Sequence, residues 1–372
     1  MRIGVPREVK VHEYRVGLVP GAVRELVAHG HGVLVEAGAG ASIGFGDDAY
    51  RAAGADITAD AAEIFAIADL VVKVKEPQPP ELARLRPGQL LFTYLHLAPD
   101  PALARALMAS GATAIAYETV TDARGGLPLL APMSEVAGRM AIQVGARCLE
   151  KEMGGAGILL SGVPGVPGAQ VVILGGGVVG ANAARIAHGM RARVTVLDRA
   201  APALLALDVE FKGMVETLFA TRASIERAVL EADLVIGAVL VPGGAAPRLV
   251  TRDMLRRMRP GSVVVDVAID QGGCLETSRP TTHADPTYLE EGVVHYCVTN
   301  MPGAVARTAA VALNNATLPF VLSLANRGWR RAAVEDPHLA HGINVHAGRI
   351  VHPAVAASLG QAASPLEQAL AR

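Results

Sequence analysis

Val171-Val172-Ile173-Leu174 runs directly into Gly175-Gly176-Gly177-Val178-Val179-Gly180, and the next ten residues, ANAARIAHGM, follow a helical pattern. A GxGxxG is weak evidence alone, but here it lies between a strand and a helix, where a dinucleotide fingerprint belongs. Gly175 permits the tight turn, Gly177 lets the backbone approach a pyrophosphate, and Gly180 lets helix pack on strand. The helix start, with Val178 and Val179, then offers unpaired N–H groups and a positive dipole end to the phosphates. The next apolar run, 194–197, ends at Asp198, about twenty residues beyond the glycines, where a carboxylate accepts hydrogen bonds from the ribose hydroxyls and repels a 2′-phosphate. Arg199 beside it is able to meet such a phosphate, yet the carboxylate favours NAD. A flexible glycine loop and a solvated strand-end aspartate are the plainer readings, and the strand–turn–helix register argues against both.

Outward from this stretch, short apolar strands alternate with amphipathic helices, the pattern of a parallel α/β architecture. Upstream strands are expected at 2–5, 33–37, 70–73, 90–94 and 113–116, and downstream ones at 194–197, 234–238, 263–267 and 293–297. Residues 134–153 read as a helix with Ser134 as N-cap and Gly154-Gly155 as stop. SGVPGVPGAQ at 161–170 reads as a loop. A long helical stretch over 304–326, with a kink at Pro319, starts no third series and is expected to fold back on the first. The fold class is therefore α/β: a dinucleotide-binding domain at 129–306, inserted into a discontinuous α/β substrate domain of residues 1–128 and 307–372. No internal repeat is visible.

The chain has 372 residues, 51% hydrophobic, 19% charged and only 3% aromatic, so two domains with aliphatic cores are expected and extensive disorder is excluded. A net charge of −1 and the lack of a basic tract argue against nucleic acid. Residues 1–10 lack the apolar core of a secretory signal, and apolar runs are broken well before the length of a membrane span, so no membrane segment and a cytoplasmic location are expected. Cys148, Cys274 and Cys297 have no CxxC spacing and read as buried free thiols. His283, His295, His341, His346 and His352 are scattered without metal-site spacing, and no metal is expected.

Further segments carry a resemblance. IGVPREVKVHEYRVGLVP at the start, KVKEP at 73–77, LHLA at 95–98, LLAPMSEVAGRMA, the glycine loop with its following DR, ADLVIGAVLVPG, VDVAIDQGG and NMPGAV stand in an order and spacing similar to the alanine dehydrogenase family. Related groups are the NAD-binding subunit of proton-translocating transhydrogenase and, more distantly, lysine-forming saccharopine dehydrogenase. The resemblance implies reversible conversion of L-alanine, NAD and water to pyruvate, ammonium and NADH, by a homo-oligomer, commonly a hexamer. An NAD(H)-carrying transhydrogenase module and an opine-type dehydrogenase are the alternatives.

The resemblance also implies site roles. Arg15 suits a substrate carboxylate because its guanidinium fork matches one bidentately, although a lone arginine is usually a surface residue. Lys75 would bind carboxylate or developing oxygen charge; Lys73 shares its strand face by alternation, so spacing leaves both open and the resemblance selects Lys75. His96, between two leucines, reads equally as a packed core histidine, and the resemblance makes it a substrate-contacting acid–base group. Asp270 becomes a second catalytic residue, with Asp266 inside its strand as a structural carboxylate. Met133, Ser134, Asn300 and Met301 are placed around the nicotinamide, and Val239, Leu240, Val267 and Asp270 along the cofactor. At Ala220 the family often carries a serine toward the adenosine, a hydroxyl contact alanine cannot make.

Overall fold

The structure is a computed structural model that describes residues 1–239 and 246–370. The described chain divides into two compact units, Met1–Met133 with Val305–Arg372, and Ser134–Ala304.

The first unit is built on β1 (Arg2–Val5), β2 (Gly32–Glu36), β3 (Asp56–Thr58), β4 (Leu70–Val72), β5 (Leu90–Thr93) and β6 (Thr113–Ala116), all parallel, in the spatial order β3-β2-β1-β4-β5-β6. Every residue of β4, β5 and β6 is buried. That is why they read as unbroken apolar runs and not as alternating ones. Two crossover helices start where the sequence supplies caps: Asp60 accepts the Ala62 N–H, and Asp100 accepts those of Ala102 and Leu103.

The second unit repeats this strand order. β7 (Gln170–Leu174), β8 (Arg193–Asp198), β9 (Glu216–Phe219), β10 (Leu234–Gly237), β11 (Val263–Asp266), β12 (Thr287–Glu290) and β13 (Val293–Tyr296) are arranged β9-β8-β7-β10-β11-β13-β12, with only β12 antiparallel. The parallel strands of both sheets thus have the doubly wound 3-2-1-4-5-6 arrangement, the antiparallel β12 being added at the edge of the second. The chain then returns to the first unit, where β14 (Ile343–His346) pairs antiparallel with β6 and β15 (Arg349–Ile350) with β14.

Three expectations change. The helix expected from Ser134 begins at Ala131 and runs to Cys148, so Ser134 lies inside it and is not the N-cap; Pro132 in the first turn extends the helix upstream, and a separate 3-10 turn covers Lys151–Met153. Strands β3, β9, β12, β14 and β15 were not among the expected ones. The stretch Met301–Arg327 is long and apolar enough, by length and composition, to cross a membrane, since neither Asn nor Pro interrupts its helix. Its Ala309, Ala310, Leu313, Val321 and Leu324 instead fill the first unit's core. The three cysteines are free and buried.

Candidate active site

In the first unit the chain leaves β1 toward β2 on one side and leaves β4 toward β5 on the other. The carboxyl ends of β1 and β4 therefore form a topological switch point, where open α/β sheets bind ligands. Arg15 lies beyond the end of β1, Lys75 beyond β4, and His96 beyond β5. Gly17 makes the first approach possible, because a Cβ there would stand 2.4 Å from the Val72 carbonyl oxygen.

Arg15 is 2% exposed, against the usual fate of a lone arginine. Its Nε donates to Glu13 Oε1 at 2.7 Å and its Nη2 to Glu13 Oε2 at 2.5 Å, while Nη1 meets the weak acceptor Met133 Sδ at 3.0 Å. Burial by itself would lower its pKa, but the Glu13 carboxylate outweighs that and holds the guanidinium fully charged. The side-on pair also fixes the plane of the fork.

Lys73 and Lys75 have separate fates. Lys73 is fully buried and donates to Glu81 Oε1 at 2.7 Å and Glu8 Oε2 at 3.1 Å. Lys75 is half-buried, and among the described residues its ammonium has no hydrogen-bond partner. Burial, then the positive charge of Arg15, lowers its pKa. Glu8 Oε1 accepts the Val74 N–H at 2.6 Å and the Lys75 N–H at 3.4 Å, so the structural lysine's partner also anchors the loop carrying the free one.

His96 is exposed, while Leu95 and Leu97 on either side are buried. This removes the reading of a packed core histidine. Its ring stacks on Tyr94 at 5.7 Å between centroids and 6° between planes. Tyr94 is itself held by a bond to the Leu129 carbonyl at 2.5 Å. Glu13 and Tyr94, which these contacts bring into the site, and Glu118, whose carboxylate accepts the His96 N–H at 2.6 Å, carried no recognisable signal in the sequence. Glu13, two residues before Arg15, and Tyr94, two residues before His96, lie close enough in the chain for such pairings to be sought.

In the second unit the corresponding switch point lies between β7 and β10, and the candidate cofactor residues follow strand ends. Gly175 has φ 107°, and a Cβ there would stand 2.7 Å from the Ala238 carbonyl oxygen; one on Gly180 would stand 1.8 Å from the Gly175 carbonyl oxygen. An added Cβ on Gly177 meets nothing within 4 Å. Gly177 is the N-cap of helix Val178–Gly189, which lacks a side-chain cap, and Val178 is 46% exposed. An open cradle against unpaired helix N–H groups fits a pyrophosphate. Asp198 at the end of β8 accepts the Gly176 N–H at 2.6 Å and the Ala200 N–H at 2.7 Å, tying the turn to the strand end and leaving further lone pairs for a ribose. The Ala220 N–H bonds the Asp198 carbonyl at 2.9 Å, so the missing hydroxyl would have stood at this edge.

Among the described residues, Val239, Val267, Asp270, Asn300 and Met301 follow strands of this sheet at the same carboxyl edge. Val239 follows β10; Leu240 lies outside the described residues. Val267 and the exposed Asp270 lie on a 3-10 turn after β11, and Asn300, at φ 59°, precedes the buried Met301 after β13. Asp266 is buried and accepts from Ala268 N, Cys274 N and Ser278 Oγ, which assigns it to the scaffold. Ser134 lies one turn before Gly138, whose hydrogen allows the backbone of Val179 to approach; a Cβ there would stand 2.2 Å from the Val179 carbonyl oxygen. Helix Ala131–Cys148 therefore lies against the cradle's own helix.

A Gly177→Val substitution should fill the cradle and leave the fold intact, because nothing stands where the side chain goes. Calorimetric titration should show NADH affinity reduced at least about tenfold with an unchanged melting temperature, and wild-type affinity would refute the placement.

Comparison with known proteins agrees across the whole chain. The family description "Alanine dehydrogenase/PNT, N-terminal domain" matches residues 4–137, and "Alanine dehydrogenase/PNT, C-terminal domain" matches residues 141–353. The alanine dehydrogenase of Halomonas elongata is 61% identical over 360 residues, covering 97% of this chain and 97% of its own. A solved L-alanine dehydrogenase is similar at TM-score 0.94 and 54% identity, covering 97% of this chain and 99% of its own. A solved transhydrogenase from Sinorhizobium meliloti is similar at TM-score 0.80 and 26% identity, covering 95% of this chain and all of its own.

Proposed function

Because the chain belongs to the alanine dehydrogenase/PNT family, we infer that it is an oxidoreductase catalysing the reversible NAD-dependent oxidative deamination of L-alanine to pyruvate and ammonium. The observation that carries the reading is the buried, Glu13-clamped Arg15 beside the unpaired Lys75 at a switch point. This is a preorganised receptor for a small carboxylate. The 54% identity to a solved L-alanine dehydrogenase, against 26% to a transhydrogenase, favours the dehydrogenase over a carrier module.

Bound NAD supplies the hydride acceptor, and as NADH the donor. Arg15 binds the substrate carboxylate, and Lys75 places positive charge on the carboxylate or on the oxygen of the keto acid. His96 moves the proton to the departing oxygen in the aminating direction and from the attacking water in the deaminating one. Asp270 is the second catalytic residue, pairing with the amine or ordering that water. Gly175, Gly177, Val178, Val179 and Gly180 hold the pyrophosphate and Asp198 the ribose, with Val239, Leu240 and Val267 along the cofactor and Met133, Ser134, Asn300 and Met301 at the nicotinamide. A cytoplasmic homo-oligomer, hexameric on the family resemblance, completes the proposal; sedimentation equilibrium reads the assembly directly.

The test is NADH consumption with pyruvate plus ammonium, set against glyoxylate, 2-oxobutyrate, and 2-oxoglutarate plus lysine. No oxidation with pyruvate and ammonium overturns the function. Asp198→Gly should weaken NAD use and raise the NADP-to-NAD ratio of kcat/KM, because it loses ribose bonds, frees the Gly176 turn and relieves repulsion of a 2′-phosphate. Arg199→Ala in that background should remove part of any gain. An unchanged ratio would show that this strand end does not read the ribose.

A further inference from the structure

His96 has φ 49°, in the left-handed region that a residue with a Cβ rarely adopts. Such a conformation persists only where its surroundings over-determine it. The restraint comes from Glu118, on the 3-10 turn Tyr117–Thr119 beyond β6. Its Oε1 accepts the His96 N–H at 2.6 Å and the Leu95 N–H at 3.2 Å, and its Oε2 accepts the Leu95 N–H at 3.2 Å. Two successive backbone N–H groups thus converge on one carboxylate. Buried Leu95 and Leu97 pin the flanks, and the turn between them projects the imidazole outward against Tyr94.

We propose that Glu118 is a positioning residue that holds His96 in its left-handed conformation and so sets where the imidazole exchanges its proton. The proposal rests on the reading of His96 as the acid–base group. It is a claim about reach, not about charge: Oε1 carries the short bond. A glutamine, with its amide oxygen in that place, keeps the bond, whereas an aspartate keeps the charge and falls one methylene short.

Kinetics on Glu118→Gln, Glu118→Asp, His96→Ala and the double variant His96→Ala/Glu118→Asp test it, with melting temperatures taken on the same preparations. Glu118→Gln should keep kcat within about threefold of wild type, and Glu118→Asp should lose about tenfold or more in kcat with KM for pyruvate little changed. On the His96→Ala background Glu118→Asp should cost no further kcat, because the two act as one unit. A normal kcat in Glu118→Asp, or an equal loss on both backgrounds, overturns the proposal. So does a variant that keeps turnover with Asp and loses it with Gln, since that is the signature of charge. A lowered melting temperature with unchanged turnover per folded molecule also overturns it, by making Glu118 a stability residue. His96→Ala with near-normal turnover is a different failure: it removes His96 from the chemistry whatever the Glu118 variants do.

Discussion

His96→Ala enzyme should lose about a hundredfold or more in kcat while melting at the wild-type temperature and binding NADH normally. The unchanged stability follows from where the side chain lies. The side chain is exposed, so its truncation leaves no cavity, and removing it from a left-handed residue relieves no packing and creates none. Among the described residues the imidazole's ring neighbour is Tyr94, which keeps its own bond to the Leu129 carbonyl without it. Reduction of an imine formed from pyruvate and ammonia needs a group that both gives and takes protons, and an imidazole does both. Turnover close to wild type in a folded His96→Ala enzyme would shift proton transfer to Asp270 or Lys75.

Lys73→Met and Lys75→Met should separate completely. Lys73 lies among Glu8 and Glu81 with all three side chains at 5% exposure or less. Taking away the cation strands two carboxylates in the interior, and Glu8, already pushed upward by burial and relieved mainly by Lys73, keeps only backbone N–H bonds, chiefly from Val74, to hold its charge. Breaking a buried pair from one side costs about 3–5 kcal/mol. Glu81 also accepts the Gln78 N–H at 2.8 Å, so the loss extends to the cap of helix Pro79–Leu82. Urea unfolding should show the midpoint falling steeply for Lys73→Met and hardly at all for Lys75→Met. Conversely, kcat/KM for pyruvate should fall about a hundredfold or more in Lys75→Met, the scale of losing one charge-stabilising group. Equal unfolding midpoints for the two variants would contradict the division of labour.

That pair also marks how far the sequence can be read. The α/β class and the cofactor cradle were legible because each rests on local pattern: a run of four apolar residues, three glycines at fixed spacing, a carboxylate at the next strand end. Lys73 and Lys75 were not separable, since alternation puts both on one strand face. What divides them is Glu8, 65 residues from Lys73 in the chain, and Glu81 in the next helix. The clamp of Glu118 on His96 spans 22 residues and leaves no periodic trace. Ser134 misled because a serine before an apolar run has the local chemistry of a cap, while Pro132 upstream favours an earlier start. The shared strand order of the two sheets is a repeat of topology that residue-by-residue comparison does not register.

The discontinuity of the first unit has a consequence for biosynthesis. As the chain emerges from the ribosome, β1 to β6 are made first, but β6 has no partner on its outer side until β14 arrives, and the core lacks helix Ala306–Arg327. Residues Ser134–Ala304, a complete sheet with its own core, are synthesised in between. The second-made unit is therefore expected to finish folding first, while the first-made one waits with an open strand edge and an unfilled interior. Nascent chains stalled before Ala306 should expose that edge, so the vulnerable product of interrupted translation is the portion nearest the N-terminus.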